Sequence, residues 1–237
     1  MKEIQAKALG TDVKKMFSLG FPRNDVLTSE RKDLHRVFKQ IFRKVIVWYP
    51  TFRQHNNGME TGSAYSVPII WNENNAIKIN ECARKNDVLI VLKPHFAQDV
   101  SKIQSLNLSN LCFINDEFFV EHNFTSYEFL RDCDALITDY SSVYFDYTLC
   151  DKPIGLVWED YKEYEKQPGF ALDMDYYMKG GTKIYNVDDF IEFIIDVADD
   201  IDRCAAERRE IRDISNISTD GLNSKRVTDF IIQEANL

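Results

Sequence analysis

Residues 134–158 read DALITDYSSVYFDYTLCDKPIGLVW. Two apolar runs in this stretch, ALIT (135–138) and PIGLVW (153–158), lie on either side of a more polar segment. Each run is apolar at consecutive positions, the pattern of a strand that is buried on both faces of a parallel sheet. The segment between the runs predicts a loop and then a short helix. The stretch therefore predicts a strand, a helix and a second, parallel strand.

The same alternation continues in both directions along the chain. Periodicity and end signals predict further strands and helices, the strands at 44–48, 87–92 and 111–114 and the helices at 29–42, 73–85, 125–131, 187–212 and 223–235. The last helices begin after Asn186 and at about residue 223, and Thr125 and Glu128 have the spacing of a capping box. Strands that alternate with helices predict an α/β fold with a doubly wound parallel sheet, whose ligands bind at the carboxyl ends of the strands.

Composition excludes several classes of protein. The chain has 237 residues, with 29 basic and 38 acidic side chains and a net charge of −9, which argues against a duplex DNA binder. Its five cysteines form no CxxC pair, which indicates a reducing compartment rather than a disulfide framework or a zinc cage. The sequence contains neither a signal peptide nor an apolar run of ~18 residues. We therefore expect a cytoplasmic protein, or one that is peripheral at the inner face of the cell membrane.

Polar residues follow three of the predicted strands directly. Because the carboxyl ends of parallel strands meet at one edge of the sheet, we expect these residues to converge on an anion site. An arginine offers a planar fork for phosphate oxygens, a lysine a point charge, and a histidine a proton donor near neutral pH. Hydroxyls and N–H groups at a helix start also suit an anion. The candidates are Arg53, Lys93 and His95 together with Thr138, Asp139, Tyr140, Ser141 and Ser142.

Each candidate also has a simpler interpretation. Arg53 is compatible with an exposed loop residue, His95 with a structural histidine, and residues 138–142 with an ordinary helix cap. Their coincidence at one sheet edge favours the functional interpretation. Asp146 follows Ser142 by about one helical turn, so it could accept hydrogen bonds from a ribose or polyol hydroxyl, or be a solvated carboxylate. No metal-ligand spacing is present, and we predict no metal held by the protein.

Four motifs in the chain carry a family resemblance. They are GFPRND (20–25), VIVWYPTFR (45–53), LIVLKPHF (89–96) and residues 134–158 quoted above. In order and spacing they resemble the motifs of the CDP-glycerol glycerophosphotransferases, which polymerise teichoic acids and capsules. The segment TDYSS followed by FDY is the most specific of these matches.

The resemblance implies the Rossmann-like carboxy-terminal half of a GT-B-type transferase. Such a half binds CDP-glycerol, or CDP-ribitol in relatives, and the polyol phosphate passes to an acceptor hydroxyl with release of CMP and without a cofactor. By resemblance, the pyrophosphate would be held by Arg53 and by the start of the helix at Ser141 and Ser142. The neighbouring residues Thr138, Asp139 and Tyr140 would also lie at the substrate. His95 would stabilise or protonate the pyrophosphate, and Asp146 would contact sugar or glycerol hydroxyls.

A further segment, DGLNSKRV (220–227), resembles a DG-x-x-S-x-R segment of the family. It suggests that Arg226, or the neighbouring Ser224 or Lys225, reaches the donor phosphates. The alternative is a capped surface helix with basic residues in its first turn.

The sequence also departs from the family pattern. A Trp-His-Gly motif, which in the family lies in the amino-terminal half and activates the acceptor, is not in this sequence. We therefore expect residues 1–28 to be the tail of an amino-terminal domain or a linker, and residues 29–237 to be the donor-binding domain. Lys93 replaces an arginine and Phe96 a proline. Two alternatives stay open: a non-catalytic CDP-polyol-binding module, and a related GT-B sugar-nucleotide enzyme.

The resemblance also implies an acceptor, a polyol phosphate or glycan that can be lipid-linked, and no nucleic acid partner. Any membrane contact would come from an amino-terminal region that this sequence does not contain.

Overall fold

The structure is a computed structural model of the chain. It describes residues 2–30, 34, 37–38, 40–51, 67–95, 98–166, 170 and 172–235. Within these residues, six strands form one fully parallel sheet in the order β3-β2-β1-β4-β5-β6. The strands are β1 (Lys44–Trp48), β2 (Val88–Leu92), β3 (Leu111–Phe113), β4 (Ala135–Thr138), β5 (Ile154–Val157) and β6 (Thr182–Ile184). This is the strand order of a doubly wound nucleotide-binding fold.

Helices connect the strands and follow them. In chain order they are α1 (Lys2–Ala8), α2 (Glu73–Lys85), α3 (Ser101–Ser105), α4 (Asp116–Glu121), α5 (Ser126–Asp132), α6 (Val143–Tyr147), α7 (Tyr161–Lys166), α8 (Met174–Tyr177), α9 (Val187–Ala198), α10 (Ala205–Ser215) and α11 (Asn223–Glu234). Short 3-10 helices span Val13–Lys15, Pro22–Thr28 and Thr148–Cys150. Among the helices of the described residues, none is both long and apolar enough to cross a membrane.

The sheet separates two hydrophobic layers. Successive side chains of a strand point to opposite faces, so Ile46 and Trp48 enter one layer while Val45 and Val47 enter the other. Helices α2 and α9 cover the first layer, where the rings of Trp48 and Phe190 lie 5.0 Å apart. Helices α5, α6 and α10 and the segment 22–28 contribute to the second layer. Both faces are covered, which explains why the central strands β1, β2, β4 and β5 are apolar at most consecutive positions.

Most elements agree with the sequence prediction. The strands at 44–48 and 135–138 have the expected bounds, and those near 88, 111 and 154 agree within two residues. The capping box is present: the backbone N–H of Glu128 donates to Thr125 Oγ1 at 3.1 Å, and the backbone N–H of Thr125 donates to Glu128 Oε2 at 2.8 Å. Asn186 caps α9 through its side chain, as expected.

Three predictions were incomplete or wrong. Strand β6 was missed because it has only three residues and a lysine in the middle. The helix expected at 187–212 is broken after Ala198, where Asp200 has a positive φ of 58° and the backbone N–H of Ile201 donates to Asp196.

Part of the helix expected at 29–42, namely positions 31–33, 35–36 and 39, lies outside the described residues, and Leu34 has a 3-10 helical conformation. Residues 40–42 have no helical backbone there. Leu34 and Phe42 reach the core individually, whereas Ile41 is 71% exposed. Residues 40–42 therefore correct the carboxyl end of the expected helix, and its middle stays a prediction.

The segment Pro22–Thr28 packs against α5 and α11. Leu27 is buried in the second hydrophobic layer. The boundary expected at residue 28 stays a prediction, and the structure adds that residues on its amino-terminal side contact the sheet domain.

Candidate functional site

The direction of the strand order reverses between β1 and β4, which are neighbours in the middle of the sheet. From β1 the chain continues to β2 and β3 on one side, and from β4 to β5 and β6 on the other. In doubly wound sheets, ligands bind in the crevice at the carboxyl end of such a strand pair. The residues that follow β1 and β4 therefore form the candidate site.

The loop after β1 is attached to the end of β4 by two buried side chains. The backbone N–H of Thr51 donates to Asp139 Oδ2 at 2.7 Å, and the hydroxyl of Thr51 donates to Asp139 Oδ1. The hydroxyl of Thr138 donates to the carbonyl of Tyr49 at 2.9 Å. Thr138 and Asp139 are almost fully buried, so their side chains position the loop. Arg53, to which this loop leads, lies outside the described residues.

His95 lies in the segment after β2, and Gln98 closes a turn around it. The backbone N–H of His95 donates to Gln98 Oε1 at 2.8 Å, and the backbone N–H of Gln98 donates to the carbonyl of His95 at 2.8 Å. A backbone N–H can only donate, so the atom that faces it must be the amide oxygen of Gln98. The Nε2 atom of Gln98 is buried and has no hydrogen-bond partner in the part of the chain described. Gln98 was missed in the sequence analysis, although its position three residues after His95 is a turn spacing.

Lys93 begins the same segment and lies beside β1. Its backbone N–H donates to the carbonyl of Trp48 at 3.0 Å. Its Nζ is 3.0 Å from Asp116 Oδ1, and the Asp116 side chain is 90% exposed. Such a solvent-exposed ion pair is weak, so an anion at the edge of the sheet can compete for the ammonium group.

Ser141 and Ser142 lie between β4 and α6. Ser142 is exposed and makes no side-chain capping hydrogen bond, while Ser141 Oγ accepts only a long bond of 3.4 Å from the backbone N–H of Val143. The interpretation of these serines as an ordinary helix cap therefore has little support. Their hydroxyls lie just past β4, at the edge where the strand order reverses.

An aromatic cluster, which we define as Tyr140, Trp158, Tyr161, Tyr164 and Phe170, follows the ends of β4 and β5. The rings of Trp158 and Tyr161 are stacked at 4.4 Å, and those of Tyr140 and Tyr164 are also 4.4 Å apart. The hydroxyl of Tyr140 donates to Asp160 Oδ1 at 3.0 Å. Tyr140, predicted at the substrate, is thus built into an aromatic wall next to the candidate site.

Asp146 has a different environment from the one predicted. Its Oδ2 accepts from Arg23 Nη2 at 2.9 Å and from the hydroxyl of Tyr127 at 2.7 Å, and its Oδ1 accepts from Asn24 Nδ2 at 2.8 Å. Asp146 is 3% exposed. Burial and the hydrogen bond to Asp146 hold the pKa of Tyr127 well above its ordinary value, so the phenol stays a donor. This geometry uses both carboxylate oxygens within the protein and does not support the expected contact with a sugar hydroxyl.

The residues Arg23, Asn24 and Asp25 belong to the motif GFPRND, for which the sequence predicted no structural role. Asp25 accepts from the backbone N–H groups of Asn223 and Ser224, both at 2.8 Å, and so caps α11 from a distant part of the chain. Three consecutive polar residues after Pro22 were the available signal. We call the contacts of residues 23–25 with α6 and α11 the RND clamp.

Arg226 lies on the first turns of α11. Its Nη1 donates to Asn223 Oδ1 at 2.8 Å and its Nη2 to Asp220 Oδ2. The structure thus places Arg226 among residues of the same segment, beside the RND clamp. Its contact with donor phosphates stays a prediction.

A comparison with protein families matches residues 1–233 to the profile described as CDP-Glycerol:Poly(glycerophosphate) glycerophosphotransferase. The chain belongs to this family. The chain is similar to the teichoic acid ribitol-phosphate primase of Bacillus spizizenii, with 23% identity over 239 residues, which cover 95% of this chain and 55% of that protein. The teichoic acid glycerol-phosphate transferase of Staphylococcus aureus is 29% identical over 171 residues, 67% of this chain and 39% of that protein.

Solved structures support the fold. A structure of the wall teichoic acid polymerase TagF is similar with a TM-score of 0.73 at 22% identity, covering 99% of this chain and 56% of that one. The structure of a putative UDP-N-acetylglucosamine 2-epimerase from Listeria monocytogenes is similar with a TM-score of 0.56 at 15% identity. The similarity covers 99% of this chain and 57% of that one. The fold is that of the Rossmann-like half of a GT-B-type enzyme, as the sequence predicted. The chain spans about half or less of the length of these curated relatives.

Proposed function

We propose that this chain binds a CDP-polyol and supports transfer of its polyol phosphate to an acceptor hydroxyl in teichoic-acid or capsule synthesis. The observation that supports the proposal is the convergence of the family's motifs at the reversal of the strand order. The residues after β1 and β4 are joined there by the Asp139–Thr51 hydrogen bonds, and the segment of Lys93 and His95 begins beside β1.

In the proposed reaction the acceptor oxygen forms a bond to the phosphorus that carries the polyol. The bond from that phosphorus to the bridging oxygen breaks, CMP leaves with the electron pair, and the acceptor proton passes to a base. Such a transfer depends on positioning and on neutralising charge, and it requires neither NAD nor flavin. Arg53, Lys93 and the Ser141 and Ser142 hydroxyls are the proposed phosphate contacts. His95 is the proposed catalytic residue, which stabilises or protonates the leaving phosphate.

The buried residues of the site receive a different role in this proposal. Thr138 and Asp139 hold the loop after β1 and so set the approach of Arg53 to the phosphates. Tyr140 and the aromatic cluster form the wall beside β4 and β5. We propose that the acceptor is a polyol phosphate or glycan, which can be lipid-linked, and that the reaction takes place at the cytoplasmic face of the membrane.

The proposal is tested by calorimetric titration of the chain with CDP-glycerol, CDP-ribitol, CMP and UDP-N-acetylglucosamine. We expect cytidine-selective binding that is lost in Arg53→Ala. A matched control is Arg43→Ala, which removes an exposed arginine next to the opposite end of the same strand.

The pattern of binding also separates the alternatives. The CDP-polyol that binds more tightly is identified as the donor. The His95→Ala variant should still bind this donor but release no CMP when an acceptor is supplied. Binding without CMP release by the wild-type chain would favour the non-catalytic module. Stronger binding of the UDP-sugar than of CDP-polyols would contradict the proposal.

A further inference from the structure

A second cleft lies at the opposite edge of the sheet from the candidate site. It has a volume of about 340 Å³. Arg131 at the end of α5 precedes β4, and Lys152 precedes β5, so the cleft is at the amino ends of these strands. Its lining consists of Leu27, Thr28, Ser29, Arg131, Leu149, Cys150, Lys152, Arg212 and Thr219.

The cleft has a positive lining in an acidic protein. Three of its lining residues are basic and, among the described residues that line it, none is acidic. The whole chain has a net charge of −9. A concave surface lined by one sign of charge concentrates ions of the opposite sign, so this cleft favours an anion.

Two of the three cations are held in place by the protein. Arg131 is buried, with Nε 2.6 Å and Nη2 3.0 Å from the two carboxylate oxygens of Asp132, and its Nη1 donates to Ser29 Oγ at 2.6 Å. The ammonium of Lys152 donates to the carbonyls of Arg131 and Cys133. These hydrogen bonds hold the ammonium of Lys152 in the lining of the cleft.

Arg212 differs from these two because part of its guanidinium is available. Its Nε donates to Asp213 Oδ1 at 3.0 Å, and Asp213 does not line the cleft. Within the described part of the chain, Nη1 and Nη2 have no hydrogen-bond acceptor. A guanidinium edge with free N–H groups matches the oxygens of a phosphate group.

We propose that this cleft is a second anion site, which binds a phosphate group through Arg212. The hydroxyl of Thr219 offers a further polar contact, and Leu27 and Leu149 line the cleft with apolar surface. The volume lies at the lower end of the range of small-ligand pockets, which fits a small phosphomonoester or one phosphodiester unit of a polymer. The site is separate from the proposed donor site, since the two lie at opposite edges of the sheet.

The test is calorimetric titration with inorganic phosphate, glycerol 3-phosphate and a short glycerol phosphodiester, each with and without saturating CDP. We expect binding in both conditions, and about tenfold weaker binding in Arg212→Gln because a charge-assisted contact is lost. Thr219→Glu should also weaken binding, because it places a carboxylate at an exposed position of the rim. Lys78→Gln is the matched control, since it removes an exposed positive charge from α2.

The three phosphate compounds distinguish a free phosphate ligand from a segment of a polymer. Preference for glycerol 3-phosphate indicates a free phosphomonoester, and preference for the diester indicates a polymer segment. The proposal is overturned if phosphate does not bind, if CDP displaces it, or if the folded Arg212→Gln and Thr219→Glu variants bind it as tightly as the Lys78→Gln control. Thermal unfolding of each variant confirms that it is folded.

Discussion

Arg23 and Asp146 are 123 positions apart in the chain, and the Nη2 atom of Arg23 lies 2.9 Å from Oδ2 of Asp146. Burial opposes the charge of Arg23, but the charge of Asp146 and its hydrogen bond raise the pKa of the guanidinium. The same carboxylate also accepts from Asn24 and Tyr127. A buried carboxylate with several donors is therefore the attachment point of the segment 20–25 to α6.

The first prediction concerns this carboxylate. Asp146→Asn should lower the free energy of unfolding by about 2–3 kcal/mol, because charged hydrogen bonds to a buried group are lost. The loss is smaller than for a fully buried pair, since the Arg23 side chain is 45% exposed. Urea unfolding measures it, with the exposed Asp229→Asn on α11 as control. An unchanged stability together with lost CDP-glycerol binding would instead restore the role in substrate binding expected from the sequence.

The second prediction tests the attachment of the loop after β1. Asp139→Asn and Thr51→Val each remove part of the hydrogen bonding between the loop and β4. If the loop positions Arg53, each variant should bind CDP-glycerol about tenfold more weakly while it stays folded. Titration of the two variants measures this. Wild-type affinity in both would show that the loop does not depend on Asp139.

The third prediction concerns Gln98 as a positioning residue for His95. Gln98→Met keeps the length of the side chain but cannot accept from the backbone N–H of His95, whereas Gln98→Glu still can. We expect CMP release by the Met variant to fall about tenfold at saturating donor, with a smaller change in donor affinity. The Glu variant should retain more of the CMP release than the Met variant, because its carboxylate accepts the same hydrogen bond. Equal loss in both variants would indicate a structural effect rather than positioning.

The fourth prediction concerns the contact of α10 with the turn before β6. A Cβ atom at Gly180 would lie 2.5 Å from the backbone Cα of Arg208 and 2.9 Å from the hydroxyl of Tyr144. Gly180→Ala should therefore lower the melting temperature, with a cost of about 1–3 kcal/mol, because backbone must move. In Gly10→Ala the new Cβ meets no atom within 4 Å, so only its positive φ of 61° adds strain. A smaller shift for Gly180→Ala than for Gly10→Ala would contradict the contact.

The fifth prediction is the pH dependence of the cap on α11. Burial works to raise the pKa of Asp25, but hydrogen bonds from Ser224 and Asn223 outweigh it and lower that pKa. The pKa in the folded state is below the unfolded value, so the stabilisation is present above the unfolded value and is lost as pH falls through the folded one. Because Asp25 is only partly buried, we expect this stabilisation to be less than about 1 kcal/mol. The difference in unfolding free energy between wild type and Asp25→Asn, measured from about pH 6 downwards, should shrink on acidification.

The fold could be predicted because its signals are local. The apolar runs at 44–48 and 135–138 and the capping box at Thr125 are each contained in a few consecutive residues. The four family motifs, which occur in the order and spacing of the family, supported the expected order of these strands and helices. By contrast, the periodicity at 29–42 extended the expected helix too far, because Phe42 is buried although residues 40–42 are not helical.

The sequence alone determined the α/β class, the parallel sheet and the edge at which polar residues gather. It did so because burial on both faces of a sheet requires apolar residues at consecutive positions. Only the tertiary structure assigned Asp146 to the RND clamp, Asp139 to the loop after β1, and Arg212 to a cleft at the opposite edge. The physical reason is that a carboxylate or guanidinium forms its contacts with whichever donors or acceptors the fold brings within about 3 Å. Such pairs, here up to 199 positions apart, leave no periodic pattern in the sequence.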